Sequence, residues 1–385
     1  MTRAGETATG VAPEPAPAII PGVLPGLDGL RAASILIVMI SHSSLAHVVP
    51  GVFGVTVFFF VSGFLITTLM LAEHRRTGTL AVGPFYARRL LRLYPPLVVS
   101  VAATVVFYTA IGQRVDPLGV LGALAYLANY LAIFRPDLMQ NLGGQLWSLA
   151  VEEHFYFVYP LVMTLLLPRP KRALWVLGAA CVASLGVRIH VELAYPAIAA
   201  NYSGKATETR IDSILYGAIA ALLWWSGRAQ PFFMRHWRAL TALGVALVLA
   251  SFLWRNPAMR ETVRYSVQGI ALIPIVLAVT VAGRLPRVTA LLESRAARWI
   301  GRHSYSLYLW HLLAFEMALH LVPRLTASAP AQHAAAWLLA FGLSALSYRY
   351  VETPFFALRK RFGSNVAVID DSNAPDAGAG RPPRR

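Results

Sequence analysis

The feature that most constrains this chain is a series of eleven apolar segments, most of them about as long as one membrane-spanning helix. A helix that rises ~1.5 Å per residue crosses the ~30 Å hydrocarbon core of a bilayer in about 20 residues. Only helices and closed barrels satisfy all their backbone polar groups in lipid, and barrel strands alternate in polarity whereas these segments are continuously apolar. The sequence therefore predicts an all-α polytopic membrane protein. The segments are 28–48, 51–72, 93–112, 118–134, 146–167, 173–190, 211–227, 237–254, 265–283, 302–321 and 333–351.

The charge of the chain is explained by membrane topology rather than by a nucleic-acid partner. The net charge is +16, yet only 14% of the 385 residues are charged, whereas a soluble domain usually has about 25%. The arginines gather at the ends of the apolar segments and form no compact basic module, so nucleic-acid binding is not predicted. The single cysteine, Cys181, excludes an intrachain disulfide. The sequence has no HExxH or CxxC motif, so a metal site is not predicted.

The positive-inside rule converts these segments into a topology. If all five basic clusters are cytosolic, an even number of crossings must separate each neighbouring pair. Three segments lie between the first two clusters, and 118–134 is predicted not to cross because it is the shortest and contains Asn129. This predicts about ten transmembrane helices, one short peripheral or re-entrant helix, and two cytosolic tails. The alternative is eleven crossings with one cluster outside. The clusters are 75–92, 169–172, 228–238, 284–302 and 349–361.

The predicted domain organisation is one transmembrane domain, 27–361, between two tails. The first tail, 1–26, is rich in Ala, Pro and Gly and has no hydrophobic signal core. The second tail, 362–385, is rich in Pro, Gly and Asp and ends in two arginines. Both tails are predicted to be disordered.

Two basic residues lie inside the first apolar segment. Arg31 and His42 are eleven residues apart, which is close to three helical turns, so they share a helix face at a separation of roughly 16 Å. An ionisable side chain at membrane depth is costly to bury and marks a candidate functional site. We predict that His42 is a base within the membrane and that Arg31 lies near the cytosolic entry of the same helix.

The fifth apolar segment carries two adjacent carboxylates. Glu152 and Glu153 lie inside it, and Ser148 precedes Glu152 by one turn. A carboxylate at this depth must be paired or protonated. One interpretation is that Glu152 orients His42 in the way that a carboxylate orients the histidine of an acyl-transfer enzyme. The alternative is a structural ion pair with an arginine.

Three arginines precede the third apolar segment. Arg88 and Arg92 are four residues apart and share a helix face, and Arg89 flanks them. Guanidinium groups bind phosphate oxygens in a bidentate manner, so the cluster fits an anion with several phosphates. The alternative is ordinary positive-inside charge. Pro95 and Pro96 follow and are expected to kink the entry to the segment.

Other polar residues in the apolar segments are interpreted structurally. Ser62 and Gly63, in the second segment, predict close helix packing. His311, in the tenth segment, is interpreted as a hydrogen-bonded interior histidine. Glu352, at the end of the last segment, is predicted to pair with Arg349 or with the arginine cluster.

Six motifs in a fixed order resemble the acyltransferase family 3 membrane proteins. They are LDGLRAASILIVMISH, FFFVSGFLIT, FYARRLLRLYPPL, LWSLAVEEHFYFVYPL, GRHSYSLYLWH and YRYVETPF. The resemblance runs from about Gly26 to Arg361. It implies an integral protein of a bacterial plasma membrane that transfers an acyl group, usually from acyl-coenzyme A, to a hydroxyl of a sugar or other acceptor. It assigns four residues to catalysis: His42, Glu152, Ser148 and Arg31. It assigns three residues to donor binding: Arg88, Arg89 and Arg92.

The resemblance also implies a mechanism. Acyl-coenzyme A enters from the cytosol with its phosphates on the arginine cluster, and no metal takes part. His42, held by Glu152, deprotonates the acceptor hydroxyl as it attacks the thioester, and Ser148 or Arg31 stabilises the oxyanion. Direct transfer is favoured because no side chain stands out as a nucleophile, and an acyl-histidine is the alternative.

The acceptor is predicted from domain content and composition. Many relatives carry an additional C-terminal hydrolase-like domain that this sequence lacks, and the Ala/Arg/Pro-rich composition suggests a high-GC actinobacterial source. A macrolide-like secondary metabolite of antibiotic biosynthesis is therefore favoured as the acceptor of a short acyl group, with a cell-envelope glycan as the alternative. Membrane lipid is the other expected partner. A polytopic transporter or lipid carrier is the competing class, but no inverted repeat is visible.

Overall fold

The computed structural model describes residues 24–43, 50–227, 229–254, 256–321, 329–359 and 362. These residues are almost entirely helical and contain no β-strand, which confirms the all-α prediction. Nearly all of both predicted tails, 1–26 and 362–385, lies outside the described ranges.

The described part of each of the eleven predicted apolar segments is mainly helical, and shorter helices occupy several connections. Residues 44–48 of the first segment lie outside the described ranges. A 3₁₀ turn spans Pro136–Met139, and a π-helix spans Tyr348–Glu352. Across the described residues the α-helices are α1 Leu27–Ser41, α2 Gly51–Thr77, α3 Val82–Ala110, α4 Pro117–Leu124, α5 Ala128–Phe134, α6 Leu146–Leu166, α7 Pro170–Ala194, α8 Pro196–Lys205, α9 Thr207–Trp225, α10 Gln230–Leu253, α11 Pro257–Glu261, α12 Val263–Val279, α13 Pro286–Leu292, α14 Arg295–Arg302, α15 Ser304–Leu321, α16 Ala329–Ser347 and α17 Thr353–Arg359.

Five of the described helices are long and apolar enough to cross a membrane by length and composition: α2, α3, α6, α7 and α10. A sixth, α12, is apolar but shorter. These helices agree with a multi-pass membrane protein. The finer topology, ten crossings with both tails cytosolic, stays a prediction.

The segment predicted not to cross is broken in two. α4 has eight residues and α5 has seven, so each is only about 10–12 Å long at ~1.5 Å per residue. Tyr126, between them, has a φ of 58° in the left-handed region, which turns the chain. Neither piece is long enough to span a bilayer, in agreement with a peripheral position.

The third span begins earlier than predicted. α3 starts at Val82 and continues through Pro95 and Pro96 to Ala110, so the three arginines lie on the first turns of the helix rather than before it. Prolines are tolerated in membrane helices because neighbouring groups satisfy the carbonyls they free. Pro95 and Pro96 leave the carbonyls of Leu91 and Arg92 without their intrahelical donors, and the Tyr305 hydroxyl donates to the neighbouring carbonyl, Leu93 O, at 2.5 Å.

Close glycine contacts hold α2 against its neighbours. A Cβ on Gly63 would lie 1.9 Å from Ile214 O, and one on Gly217 would lie 1.9 Å from Phe60 O. The backbones of α2 and α9 therefore touch, which confirms the close packing predicted at Ser62-Gly63. The helices run parallel, since the beginnings of both meet at Thr56 and Arg210.

The helix directions define two ends of the bundle. α1 and α15 run parallel, because Ser304 contacts Arg31 and His311 contacts His42. We call the end marked by His42 and His311 the histidine end and the opposite end, marked by Arg31 and Arg92, the arginine end. α4, α5 and α8 lie at the histidine end, since α3 and α7 end there before these short helices begin.

A buried ion pair joins α7, α9 and α12. Arg188 of α7 and Asp212 of α9 are both fully buried, with Nη2 and Oδ2 2.7 Å apart. Ser266 of α12 accepts from Arg188 at 2.6 Å and donates to Asp212 at 2.9 Å. Ser266 thus bridges the two charged groups, whereas Asp212 Oδ1 is buried and has no hydrogen-bond partner among the described residues.

Candidate active site

A narrow, partly open cavity lies between α1, α2, α6 and α15. Its walls are mainly apolar, with a few polar groups from α6 and α15. The lining residues are Ile35, Val38, Val55, Phe58, Phe59, Ser148, Leu149, Glu152, Tyr305 and Tyr308.

One stripe of α1 forms a wall of this cavity. Arg31, Ile35, Val38 and His42 are spaced by four, three and four residues, so they share one helix face. Ile35 and Val38 line the cavity, which places Arg31 and His42 beyond its two ends. The predicted shared face of Arg31 and His42 is therefore the face that borders the cavity.

His42 is paired with a second histidine. Its Nδ1 lies 3.1 Å from Nε2 of His311, and the two rings are stacked with centroids 5.2 Å apart. His311 is fully buried, whereas His42 is exposed at the histidine end. The second histidine, interpreted from sequence as an interior residue, is thus part of the site.

Glu152 does not fill the place predicted for it beside His42. Its Oε1 accepts hydrogen bonds from Ser62 and Tyr156, and the Arg89 guanidinium stacks 3.8 Å from the centre of the Tyr156 ring. The predicted contact with His42 is not formed because α6 runs toward the arginine end, carrying Glu152 one turn farther from the histidines than Ser148.

Ser148 and Tyr308 place hydroxyl groups on the cavity wall. Their oxygens lie 2.5 Å apart, and the Tyr308 hydroxyl also lies 2.8 Å from the carbonyl of Gln145. Tyr308 packs against His311 with ring centroids 5.7 Å apart. Polar groups therefore continue from the cavity wall to the histidine pair.

Four arginines converge at the arginine end. Arg92 interacts electrostatically with Arg31, Arg89 and Arg359 as well as with Glu352. Its Nε is buried and has no hydrogen-bond partner among the described residues. A concentration of guanidinium groups this high favours an anion.

The cluster contains one carboxylate. Glu352, in the π-helix, is only 2% exposed, accepts from Ser306 and interacts electrostatically with Arg92 and Arg31. Of the two partners predicted for it, the arginine cluster is therefore the one that the structure provides. Arg31 is fixed by Ser304, whose Oγ lies 3.2 Å from Arg31 Nε, and lies over the Phe58 ring.

Arg88 lies apart from the other predicted donor arginines. Its Nη1 donates to Phe362 O at 3.3 Å, and it interacts electrostatically with Glu73 and Arg89. Arg89 and Arg92 thus lie near Arg31 and Arg359, and the donor-binding role of Arg88, Arg89 and Arg92 stays a prediction.

The sequence reasoning missed three contributors: Tyr308, His311 and Arg359. A signal for the first two was present, because Ser304, Tyr308 and His311 are spaced by four and three residues and form a polar stripe on α15. That stripe faces the stripe of α1. Arg359 gave no comparable signal, since it lies in a short basic segment where topology explains the charge.

The chain matches known proteins over most of its length. The acyltransferase domain family matches residues 24–349. The peptidoglycan O-acetyltransferase OatA of Listeria monocytogenes is 26% identical over 355 residues, which cover 86% of this chain and 55% of that protein. The O-acetyltransferase OatA of Staphylococcus aureus is 29% identical over 362 residues, which cover 87% of this chain and 57% of that protein. The chain therefore spans a little over half the length of these relatives. No solved structure matches.

Proposed function

Because this chain belongs to the family of membrane acyltransferases whose domain covers residues 24–349, we propose that it transfers an acetyl group from acetyl-coenzyme A to a hydroxyl of a cell-envelope glycan. The observation that carries the proposal is the cavity with a histidine base at one end and four arginines at the other. The relatives named as peptidoglycan O-acetyltransferases favour a glycan over the macrolide-like acceptor predicted from the sequence.

The arginine end supplies the donor site. Arg31, Arg89, Arg92 and Arg359 together suit the several phosphate groups of coenzyme A, because guanidinium forks bind phosphate oxygens and remain charged. The buried Nε of Arg92, which has no partner in the described part of the chain, is a donor ready for such an oxygen. We place this end on the cytosolic side, where coenzyme A is found.

The cavity suits the arm of the donor that carries the acyl group. Its wall is largely apolar, with Ile35, Val38 and Phe58 between the arginines and the histidines. Along α1 the separation from Arg31 to His42 is roughly 16 Å at ~1.5 Å per residue. An extended arm anchored at the arginines is thereby directed toward His42.

His42 supplies the base. Its ring is exposed at the histidine end, so an acceptor can approach from that side while the donor approaches through the cavity. The imidazole removes the hydroxyl proton as the oxygen attacks the thioester carbonyl. The carbon–sulfur bond then breaks, and the imidazolium returns the proton to the departing thiolate, which leaves as free coenzyme A.

The hydroxyls of Ser148 and Tyr308 lie on the cavity wall, and either one stabilises the charge that develops on the carbonyl oxygen if its proton turns toward that oxygen from the carbonyl of Gln145. Both line the cavity: Tyr308 lies one turn before His311 on α15, and Ser148 contacts Tyr308 from α6. Preorganised donors aimed at a developing oxyanion are among the largest contributions to acyl transfer. The role of Glu152 in this scheme is to hold Tyr156, and through its ring Arg89, rather than to orient His42.

Mass spectrometry of acceptors after incubation with acetyl-coenzyme A tests this function. Purified protein in lipid nanodiscs would be given peptidoglycan fragments, other envelope glycans and a macrolide in parallel, with His42→Ala protein as the control. We expect the mass of a glycan to increase by one acetyl group with the unaltered protein and not with His42→Ala protein. Acetylation of the macrolide only would overturn the glycan assignment. No acetylation of any acceptor, together with no release of free coenzyme A, would favour a transporter or carrier.

A further inference from the structure

The hydrogen bonds around the histidine pair define which ring nitrogen of His42 is the base. We infer that His311 is a positioning residue that holds His42 as the tautomer protonated on Nδ1 and so presents Nε2 to the acceptor. This inference rests on the proposed function of His42. It differs from the sequence-based expectation, in which a carboxylate holds the base.

The protonation of His311 follows from its backbone contacts. Its Nδ1 lies 2.8 Å from the carbonyl oxygen of Tyr308 and 3.1 Å from that of Leu307. A carbonyl oxygen only accepts hydrogen bonds, so Nδ1 of His311 must carry the proton. In a neutral imidazole the other nitrogen is then an acceptor. Nε2 of His311 therefore presents a lone pair.

The tautomer of His42 follows in turn. Nε2 of His311 faces Nδ1 of His42 at 3.1 Å. Because the first atom accepts, the second must donate, and Nδ1 of His42 carries a proton. Its Nε2 is left with the lone pair, on the side of the ring away from His311. This is the arrangement a general base requires, with one nitrogen anchored and the other available.

His42 needs an anchor because of its place in the chain. It is the residue at which α1 ends, with φ −97° and ψ 0°, and it follows the last helical residue, Ser41. His311, by contrast, lies within α15, is fully buried and packs against Tyr308 and Phe315. A rigid, buried ring thus fixes an exposed one at the end of a helix.

A histidine suits this role better than a carboxylate at this depth. In the serine-protease triad an aspartate orients the imidazole and selects its tautomer. An ionised carboxylate in a water-poor bundle is costly. A neutral imidazole provides the same acceptor without a net charge, and its own donor is satisfied by the backbone of α15.

Three variants separate a positioning role from a structural one. In His311→Gln the side-chain carbonyl can still accept from His42 Nδ1, whereas in His311→Met a side chain of similar size has no comparable acceptor. His320→Met, on the same helix, is the control, since His320 bonds to Glu316 O away from the cavity. Each variant would be assayed for kcat, for coenzyme A affinity and for thermal stability.

We expect His311→Met to lower kcat about 100-fold, the low end for loss of general-base function, with coenzyme A affinity unchanged. His311→Gln should keep a kcat much closer to that of the unaltered protein than His311→Met does. His320→Met should have the same kcat as the unaltered protein. Equal losses of kcat in the Gln and Met variants would overturn the inference. So would a loss in the Met variant that is fully accounted for by unfolding.

A spectroscopic measurement tests the tautomer without reference to activity. Solid-state nitrogen NMR of histidine-labelled protein in nanodiscs would identify the His42 signals by their loss in His42→Gln. We expect a protonated Nδ1 and an unprotonated Nε2 in the unaltered protein and a loss of that preference in His311→Met. A protonated Nε2 in the unaltered protein would contradict the inference. If the tautomer is as expected but His42→Ala remains active, the proposed function fails instead.

Discussion

Arg31 and His42 lie at opposite ends of one stripe of α1, and the side chains of Ile35 and Val38 between them form the α1 wall of the cavity. The stripe on α15 runs beside it in the same direction, so that Ser304 meets Arg31 and His311 meets His42. Two parallel helices therefore connect an anion-binding end to a histidine end. Under the proposed function, this arrangement places the charged part of the donor at one end of the bundle and the reacting hydroxyl of the acceptor at the other.

Replacing His42 tests the base directly. His42→Ala should lower acetyl transfer by about 100- to 10,000-fold, the range expected for loss of a general base. The ring is exposed at the end of α1, so its loss should leave folding and coenzyme A affinity unchanged. Turnover in nanodiscs and calorimetric binding of coenzyme A would be measured on the same preparation. Preserved turnover would exclude His42 as the base.

Replacing Arg92 tests the donor site. Arg92→Ala removes the cation that interacts with all three other arginines of the cluster. A hydrogen bond to a charged group contributes about 1.5–3 kcal/mol, so coenzyme A should bind about 10- to 100-fold more weakly. Arg76→Ala, an exposed residue at the end of α2, has the same change of charge and is the control. Equal effects of the two variants would mean that general positive charge, not the cluster, attracts the donor.

Replacing Arg359 tests the composition of that site. Arg359 lies in α17, far along the chain from α3, yet it interacts with Arg92. Arg359→Ala should weaken coenzyme A binding about as much as Arg92→Ala does. Arg88→Ala should have a smaller effect, because Arg88 is turned toward Phe362 and Glu73. Arg349→Ala, an exposed neighbour of Glu352, is the control. Binding isotherms would rank the four variants, and a larger loss for Arg88 than for Arg359 would restore the cluster predicted from sequence.

Much of the fold follows from local features of the sequence. Each apolar segment became helix because its length and hydropathy leave no other way to satisfy the backbone in lipid. The shared face of Arg31 and His42 follows from helical spacing alone. The early start of α3 does not, because a proline pair usually ends a helix in water but is tolerated in a packed membrane bundle, where neighbouring groups satisfy the freed carbonyls.

The partners within the site depend on which helices are neighbours, and spacing along the chain does not encode that. His42 and His311 are 269 residues apart, so their contact required the packing of α15 against α1. The same holds for Arg188 and Asp212, which the sequence reasoning passed over. Glu152 was assigned to His42 because both are polar residues in apolar segments, but Ser62 and Tyr156 were closer partners.

Replacing Asp212 tests the contribution of the buried ion pair to stability. Asp212→Ala leaves the Arg188 guanidinium buried with no carboxylate opposite it, and loss of one partner of a buried pair costs about 3–5 kcal/mol. Restoring neutrality in Arg188→Met/Asp212→Ala should recover part of this loss. Thermal unfolding in detergent would be compared for the three proteins. A double variant less stable than Asp212→Ala would show that Arg188 stabilises the bundle through Thr262 and Ser184 instead.

Replacing Gly217 tests the contact between α2 and α9. A Cβ at this position would lie 1.9 Å from Phe60 O and 2.8 Å from Phe64 N, and backbone atoms cannot yield as a flexible side chain can. Gly217→Ala should therefore force the helices apart and lower stability by about 1–3 kcal/mol, the usual cost of overpacking. Gly178→Ala is the matched control, because nothing lies within 4 Å of its Cβ position and alanine favours a helix by roughly 0.5–1 kcal/mol over glycine. Thermal unfolding of both variants should show a lower Tm for Gly217→Ala and an equal or higher Tm for Gly178→Ala.

The same contact should matter for activity. Ser62, which donates a hydrogen bond to Glu152, lies on α2 between Phe60 and Gly63, the two positions at which that helix touches α9. The Gly217→Ala variant should therefore also lose acetyl transfer, and full activity at a lowered Tm would show that the site does not depend on this packing.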